Sequence, residues 1–205
     1  MMNHVSFDRR GSISAPQVSL TRGRRRLLRT LALVLVAVVL WRRHWLEADM
    51  ARHLLLEFPL VIASGVLLGA TSRHNWLGAP RRNRYGLTGL TLAALTLTIW
   101  MIPAALDAAA KGGWVSALKY DSLAMAGFLL PASLRLAPLA VQAVFVGNMA
   151  WMTATAGILY QQADRQLCLA YLTEMQTVTG RGLVVAAAVL VVVWSVWTWR
   201  RSSAA

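Results

Sequence analysis

Asp49, His53 and Glu57 stand four residues apart at the start of an apolar stretch, Asp49-Met50-Ala51-Arg52-His53-Leu54-Leu55-Leu56-Glu57-Phe58-Pro59. On a helix of 3.6 residues per turn this spacing makes one stripe of two carboxylates and an imidazole, groups that bind cations or pass protons. Each four-residue step rises about 6 Å, so Asp49 and Glu57 lie roughly 12 Å apart and one ion cannot bind both. A metal would take Asp49 with His53, or His53 with Glu57, and a second helix would complete its shell. The reason to expect a role is cost. An ionisable group at bilayer depth carries a penalty of about 2.5 to 3.5 kcal/mol on insertion scales and persists with a partner or a function. Plainer readings stand beside this one. Glu57 is protonated or paired with Arg52 or Lys119, His53 is a hydrogen-bonded core histidine, and Asp49 caps the helix amino terminus, where free backbone donors await an acceptor.

Candidate partners from other segments are Trp100-Met101, Asp107, Tyr120-Asp121, Met125, Met149, Met152, Cys168 and Glu174-Met175-Gln176. Thioether and imidazole suit copper(I), while carboxylate with imidazole tolerates copper(II) or zinc. The candidate metal ligands are His53, Asp49, Glu57, Met101, Asp121 and Glu174, for a copper or zinc ion. Most of the eight methionines of a membrane chain serve packing, and the single cysteine excludes an intrachain disulfide and a paired-thiolate metal site.

The elements that must hold these residues are membrane helices. The chain of 205 residues is 57% hydrophobic and only 14% charged, too apolar for a soluble domain of this size. A net charge of +13 would suggest nucleic acid in a soluble protein. Here the arginines sit in short runs at the ends of apolar stretches, as topology signals do, and no aromatic residues interleave with them to stack bases. No nucleic-acid partner is expected. The expected partner surface is the lipid bilayer. Most of the nine tryptophans, including Trp41, Trp76, Trp100 and Trp199, fall near expected helix ends, as interfacial anchors do.

Residues 1–23 are polar and read as a disordered cytoplasmic tail, followed by a transmembrane helical domain over 24–201. Six apolar segments, 27–41, 48–70, 87–109, 117–135, 138–160 and 180–199, predict an all-α, polytopic bundle of about six helices. The first follows Arg24, Arg25 and Arg26 but ends in Leu40-Trp41-Arg42-Arg43 without a small-residue cleavage pattern, so it reads as a retained helix. Lysine and arginine place both termini in the cytoplasm, with a bacterial inner membrane as the location. That orientation puts Glu47, Asp49, Glu57, Asp107, Asp121, Asp164 and Glu174 in the outer half or outer loops. Asp49, Glu57, Asp107, Asp121 and Glu174 would then share a depth at which a packed bundle brings them together.

With these motifs in place, the sequence resembles the CtaG-type cytochrome c oxidase assembly factors. In that family a helix opens with two histidines four residues apart, followed by leucines and a glycine-ended run. Asp49 to Leu56 and Pro59 to Gly69 resemble it, with Asp49 at the first histidine position. A motif Trp-His-x-Pro-x-x-x-Asp resembles Trp100-Met101-Ile102-Pro103-Ala104-Ala105-Leu106-Asp107, with Met101 for histidine. The following family helix carries a histidine near the place of Tyr120. A later Asp-Gln-x-x-Ala-Gly resembles Met175-Gln176-Thr177-Val178-Thr179-Gly180, with Glu174 adjacent. The resemblance runs in order over residues 46–195 and implies copper delivery to haem-copper oxidases, with an oxidase subunit or a copper donor as partner.

No nucleophile, phosphate loop or catalytic triad is visible, so an enzyme is not expected. The first reading is a membrane assembly factor or copper chaperone-like protein, holding copper on the periplasmic side at His53 with Asp49 or Glu57 beside it and Met101 completing the site. The alternative is a proton- or metal-coupled transporter or channel in which Glu57, Asp121 and Glu174 form a relay, or a structural subunit of a respiratory membrane complex. A bis-histidine haem is not expected, because His4, His44 and His74 fall in the tail or outside helix centres.

Overall fold

Helices form wherever the apolar runs allow, and charge and proline decide where they stop. The computed structural model describes residues 21–72, 83–162 and 173–203, and among these every regular element is helical. Residues 1–20 of the expected tail, together with His74, Trp76, Asp164 and Cys168, lie outside the described residues. Helix α1 (Arg22–Trp41) opens on its arginine run, with the Thr21 hydroxyl accepting from the Arg24 amide. A short α2 (Arg43–Glu47) follows, then α3 (Met50–Thr71), α4 (Leu87–Trp100), α5 (Pro103–Ala110), α6 (Gly113–Leu136), α7 (Leu139–Gln162) and α8 (Thr173–Ser203). Helix α3 packs between α1 and α6, α4 packs on the other side of α6, and α7 pairs with α8.

Three stretches, Met50–Thr71, Leu139–Gln162 and Glu174–Arg200, are long and apolar enough to cross a bilayer. A fourth arises if α4 and α5 count as one bent span. The third apolar segment, expected as a single helix over 87–109, is broken. The chain turns by 75° between α4 and α5, because Pro103 cannot donate to the preceding turn and the residue before it, Ile102, is extended (φ −73°, ψ 127°). Pro131 stays inside α6.

The α3–α6 contact is close because glycines line it. A Cβ at Gly65 would collide with the carbonyl oxygen of Ala124, and one at Gly69 with that of Phe128. Backbones this near exclude larger residues and hold the side chains of α3 and α6 in fixed register. At the end of the bundle holding the α1 amino terminus, Asn83 donates to Ser133 Oγ at 2.8 Å and accepts from the Gly89 amide at 3.1 Å, tying α4 to α6. Arg29 reaches across to the Thr71 carbonyl at 3.2 Å, where α3 leaves its last acceptors open. At the opposite end Trp41, Trp45 and Trp114 are exposed, as interfacial tryptophans are, and Arg52 lies 4.4 Å over the Trp45 ring.

Candidate functional site: a buried lysine between two glutamates

Helix α3 is not uniform. Asp49 is its amino-terminal cap, in extended conformation, with Oδ1 accepting from the amides of Ala51 at 2.8 Å and Arg52 at 3.3 Å. Residues His53–Glu57 then form one π-helical turn, in which the Phe58 amide donates to the His53 carbonyl. Pro59 follows at once and has no amide hydrogen for the Leu55 carbonyl, so the ladder widens ahead of it. The regular stripe expected from Asp49 through His53 to Glu57 is therefore interrupted. Asp49 belongs to the cap, while His53 and Glu57 turn inward together, both fully buried, with Nε2 and Oε1 4.0 Å apart.

Lys119 of α6 meets them. Its fully buried ammonium donates to Glu57 Oε1 at 2.6 Å and to Glu47 Oε1 at 2.9 Å, and lies 3.1 Å from His53 Nε2. The three protons of an ammonium thus have three acceptors, which assigns the proton of a neutral His53 to Nδ1. The Tyr120 hydroxyl donates to the same Glu47 oxygen at 3.1 Å, and Phe58 sets its ring edge-on to His53. Glu57 Oε2 is buried and makes no hydrogen bond. Lys119 lies about 9 Å along α6 from Gly113, and Glu57 about 10 Å along α3 from Met50, so the contact forms at one depth below the tryptophans.

A cavity of about 700 Å³ opens beside the cluster, among α1, α2, α3 and the α5–α6 junction. Glu47 and Tyr120 line it, together with Arg43, His44, Lys111 and Asp121, while Val36, Val39 and Val61 form its apolar wall. Glu47 and Tyr120 are thus the groups through which the buried lysine communicates with an open space.

The acids expected in one layer fall into separate places. Glu57 is in the cluster, Asp121 is at the cavity, and Asp107 is buried on α5. Asp49 and Glu174 line a smaller cavity of about 220 Å³ with Met175. Met101 sits at the α4–α5 bend, where its carbonyl accepts from the Tyr160 hydroxyl at 3.4 Å. Among the described residues, no three His, Cys, Asp or Glu side chains are grouped to hold a metal ion. The donors that do converge, Glu47, His53 and Glu57, converge on an ammonium, which takes the His53 lone pair and repels a second cation. As arranged, the cluster does not fit a copper ion.

Glu47 and Lys119 are absent from the candidate partners read from the sequence, with Lys119 expected only as a structural partner of Glu57, while Tyr120 stands among those partners but not among the six metal ligands. The signal was a lysine inside the apolar segment 117–135, where a cation requires an acid on a neighbouring helix. No protein-family model matches the chain, and neither does any curated protein or solved structure.

Proposed function

We propose that this chain is a multi-pass membrane protein that exchanges protons at the Glu47–Lys119–Glu57 centre, as a proton-coupled carrier or channel. The supporting observation is a charge count. Counted among themselves, two carboxylates share one ammonium around an imidazole and are one positive charge short. Of the two acids it is Glu57 that is wholly buried, while Glu47 also faces the cavity that Arg43 and Lys111 line. A net charge in a low-dielectric interior is costly, and one additional proton removes it. Glu57 Oε2, buried without a partner, leaves a carboxyl oxygen on which a proton can reside. Tyr120 and Glu47 supply the route between that proton and the cavity.

In this reading α1 and α6 also cross the bilayer, giving six crossings with both termini in the cytoplasm of a bacterial cell. The pairing of Lys119 with Glu47 and Glu57 offsets one of the two charges in the outer half of α6, the other being the exposed Asp121 at the cavity. Purified protein reconstituted in liposomes under a potassium diffusion potential tests the proposal through the internal pH. Proton entry above that of empty liposomes, lost in Glu57→Gln, supports it. Entry at the empty-liposome rate, or equal in both proteins, overturns it.

One observation favours a second reading. The segments that resemble the oxidase assembly factors pack into a single core, in which Leu54, Trp100, Leu106, Leu123 and Leu183 are buried and Tyr120 and Met175 pack against them. An assembly role toward a haem-copper oxidase, without copper at His53, is consistent with that convergence. Loss of oxidase maturation on deletion, restored by Glu57→Gln, would favour it over proton exchange.

A further inference from the structure

The mismatch between this cluster and a metal ion points to what the lysine does. We infer that Lys119 is a tethered counter-ion standing in the cation position of a three-donor site built from Glu47, His53 and Glu57, so that the centre operates without a metal. The inference goes beyond the proton reading and does not depend on it.

Three donor atoms from α2 and α3 point at one nitrogen, at 2.6, 2.9 and 3.1 Å. These are hydrogen-bond lengths, whereas zinc binds imidazole and carboxylate at about 2.0 to 2.2 Å. The site is dimensioned for an ammonium. Its construction is specific: the π turn ahead of Pro59 brings His53 and Glu57 to the same side, α2 adds Glu47, and the glycine-lined contact brings α6 close enough for the Lys119 chain to reach all three. The donors are one nitrogen and two carboxylate oxygens, types that suit zinc or copper(II). As placed they are not grouped to hold an ion, and binding one without the ammonium requires them to close in by up to about 1 Å. A divalent ion would neutralise both carboxylates, while the ammonium supplies a single charge. The tethered cation therefore replaces a metal and at the same time leaves the charge deficit of one.

The test is metal uptake by the whole chain. Detergent-purified wild type, Lys119→Ala, His53→Ala and the Lys119→Ala, His53→Ala double variant are equilibrated with zinc(II) or copper(II), freed of unbound ion and analysed for metal. The wild type is expected to retain no metal that His53→Ala loses. Lys119→Ala is expected to gain about one ion per chain, and the double variant to lose it. Metal retained by the wild type and lost in His53→Ala overturns the inference, as does a folded Lys119→Ala that takes up no more than the wild type. Where Lys119→Ala does not survive extraction, its thermal stability is read in whole membranes prepared with and without zinc. Stabilisation of the variant but not of the wild type supports the tethered cation, and an equal response of both overturns it.

Discussion

The ammonium of Lys119 and the carboxylate of Glu57 meet at 2.6 Å with both side chains wholly removed from solvent. Taking one partner out of such a pair leaves a buried charge uncompensated, at a cost of about 3 to 5 kcal/mol. Lys119→Met is expected to lose stability of that size in detergent, measured by denaturant or thermal unfolding. Adding Glu57→Gln to Lys119→Met should cost less than the sum of the two single changes, because the second substitution removes a charge that the first has stranded. Additive losses would show that the two side chains do not act as a pair.

Helix contact through glycine gives a second expectation. Gly65→Val places side-chain atoms against the Ala124 carbonyl and should destabilise by roughly 1 to 3 kcal/mol or more, since backbone cannot move aside as a flexible side chain does. Gly23→Ala at the exposed second position of α1 meets nothing and should stabilise by about a few tenths of a kcal/mol, less than the interior helix-propensity gain because the first turn is only partly committed to helix. Thermal unfolding of the two variants, moving in opposite directions from wild type, checks both.

Asn83 carries a third. It serves Ser133 and the Gly89 amide from a fully buried position, and Asn83→Ala leaves those groups without their partner. A loss of about 1 to 3 kcal/mol is expected. Proton entry into liposomes should be unchanged at temperatures where the variant is folded, because Asn83 sits at the opposite end of the bundle from Lys119.

Tyr120 links Glu47 to the cavity and makes a fourth. Tyr120→Phe keeps the ring and removes the hydroxyl that donates to Glu47. Proton entry should slow by about tenfold or more, toward the scale of effects seen when a positioned proton-transfer group is lost, while unfolding shifts little. An unchanged rate would exclude the hydroxyl from the path.

Much of this was legible in the residues. The apolar runs announced the helices, since twenty residues without charge have few other uses, and the cost of burying Glu57 and His53 marked them as partners of something. The capping role of Asp49 follows from its position ahead of an apolar run. Two features were harder to read. A four-residue stripe assumes a regular helix, and the π turn that Pro59 imposes breaks it. Spacing within one segment also gives no information about which residue of another segment faces it. Lys119 was therefore one of two open choices of partner for Glu57, beside Arg52, and Glu47 and His53 were not visible as its further partners, because their meeting depends on how closely the glycines of α3 let α6 approach. The bend at Met101 was open to anticipation from Pro103, yet a proline in an apolar run can also be absorbed within a helix, as Pro131 is in α6.

Proton exchange at this centre requires one extra proton in the Glu47–Lys119–Glu57 cluster, and infrared difference spectroscopy of the membrane-reconstituted protein reads that proton directly. Acid-minus-alkaline spectra are expected to show the carbonyl stretch of a protonated carboxyl that shifts in deuterated water and disappears in Glu57→Gln. A spectrum without that band, or with a band that survives both Glu57→Gln and Glu47→Gln, would contradict the proton-exchanging centre.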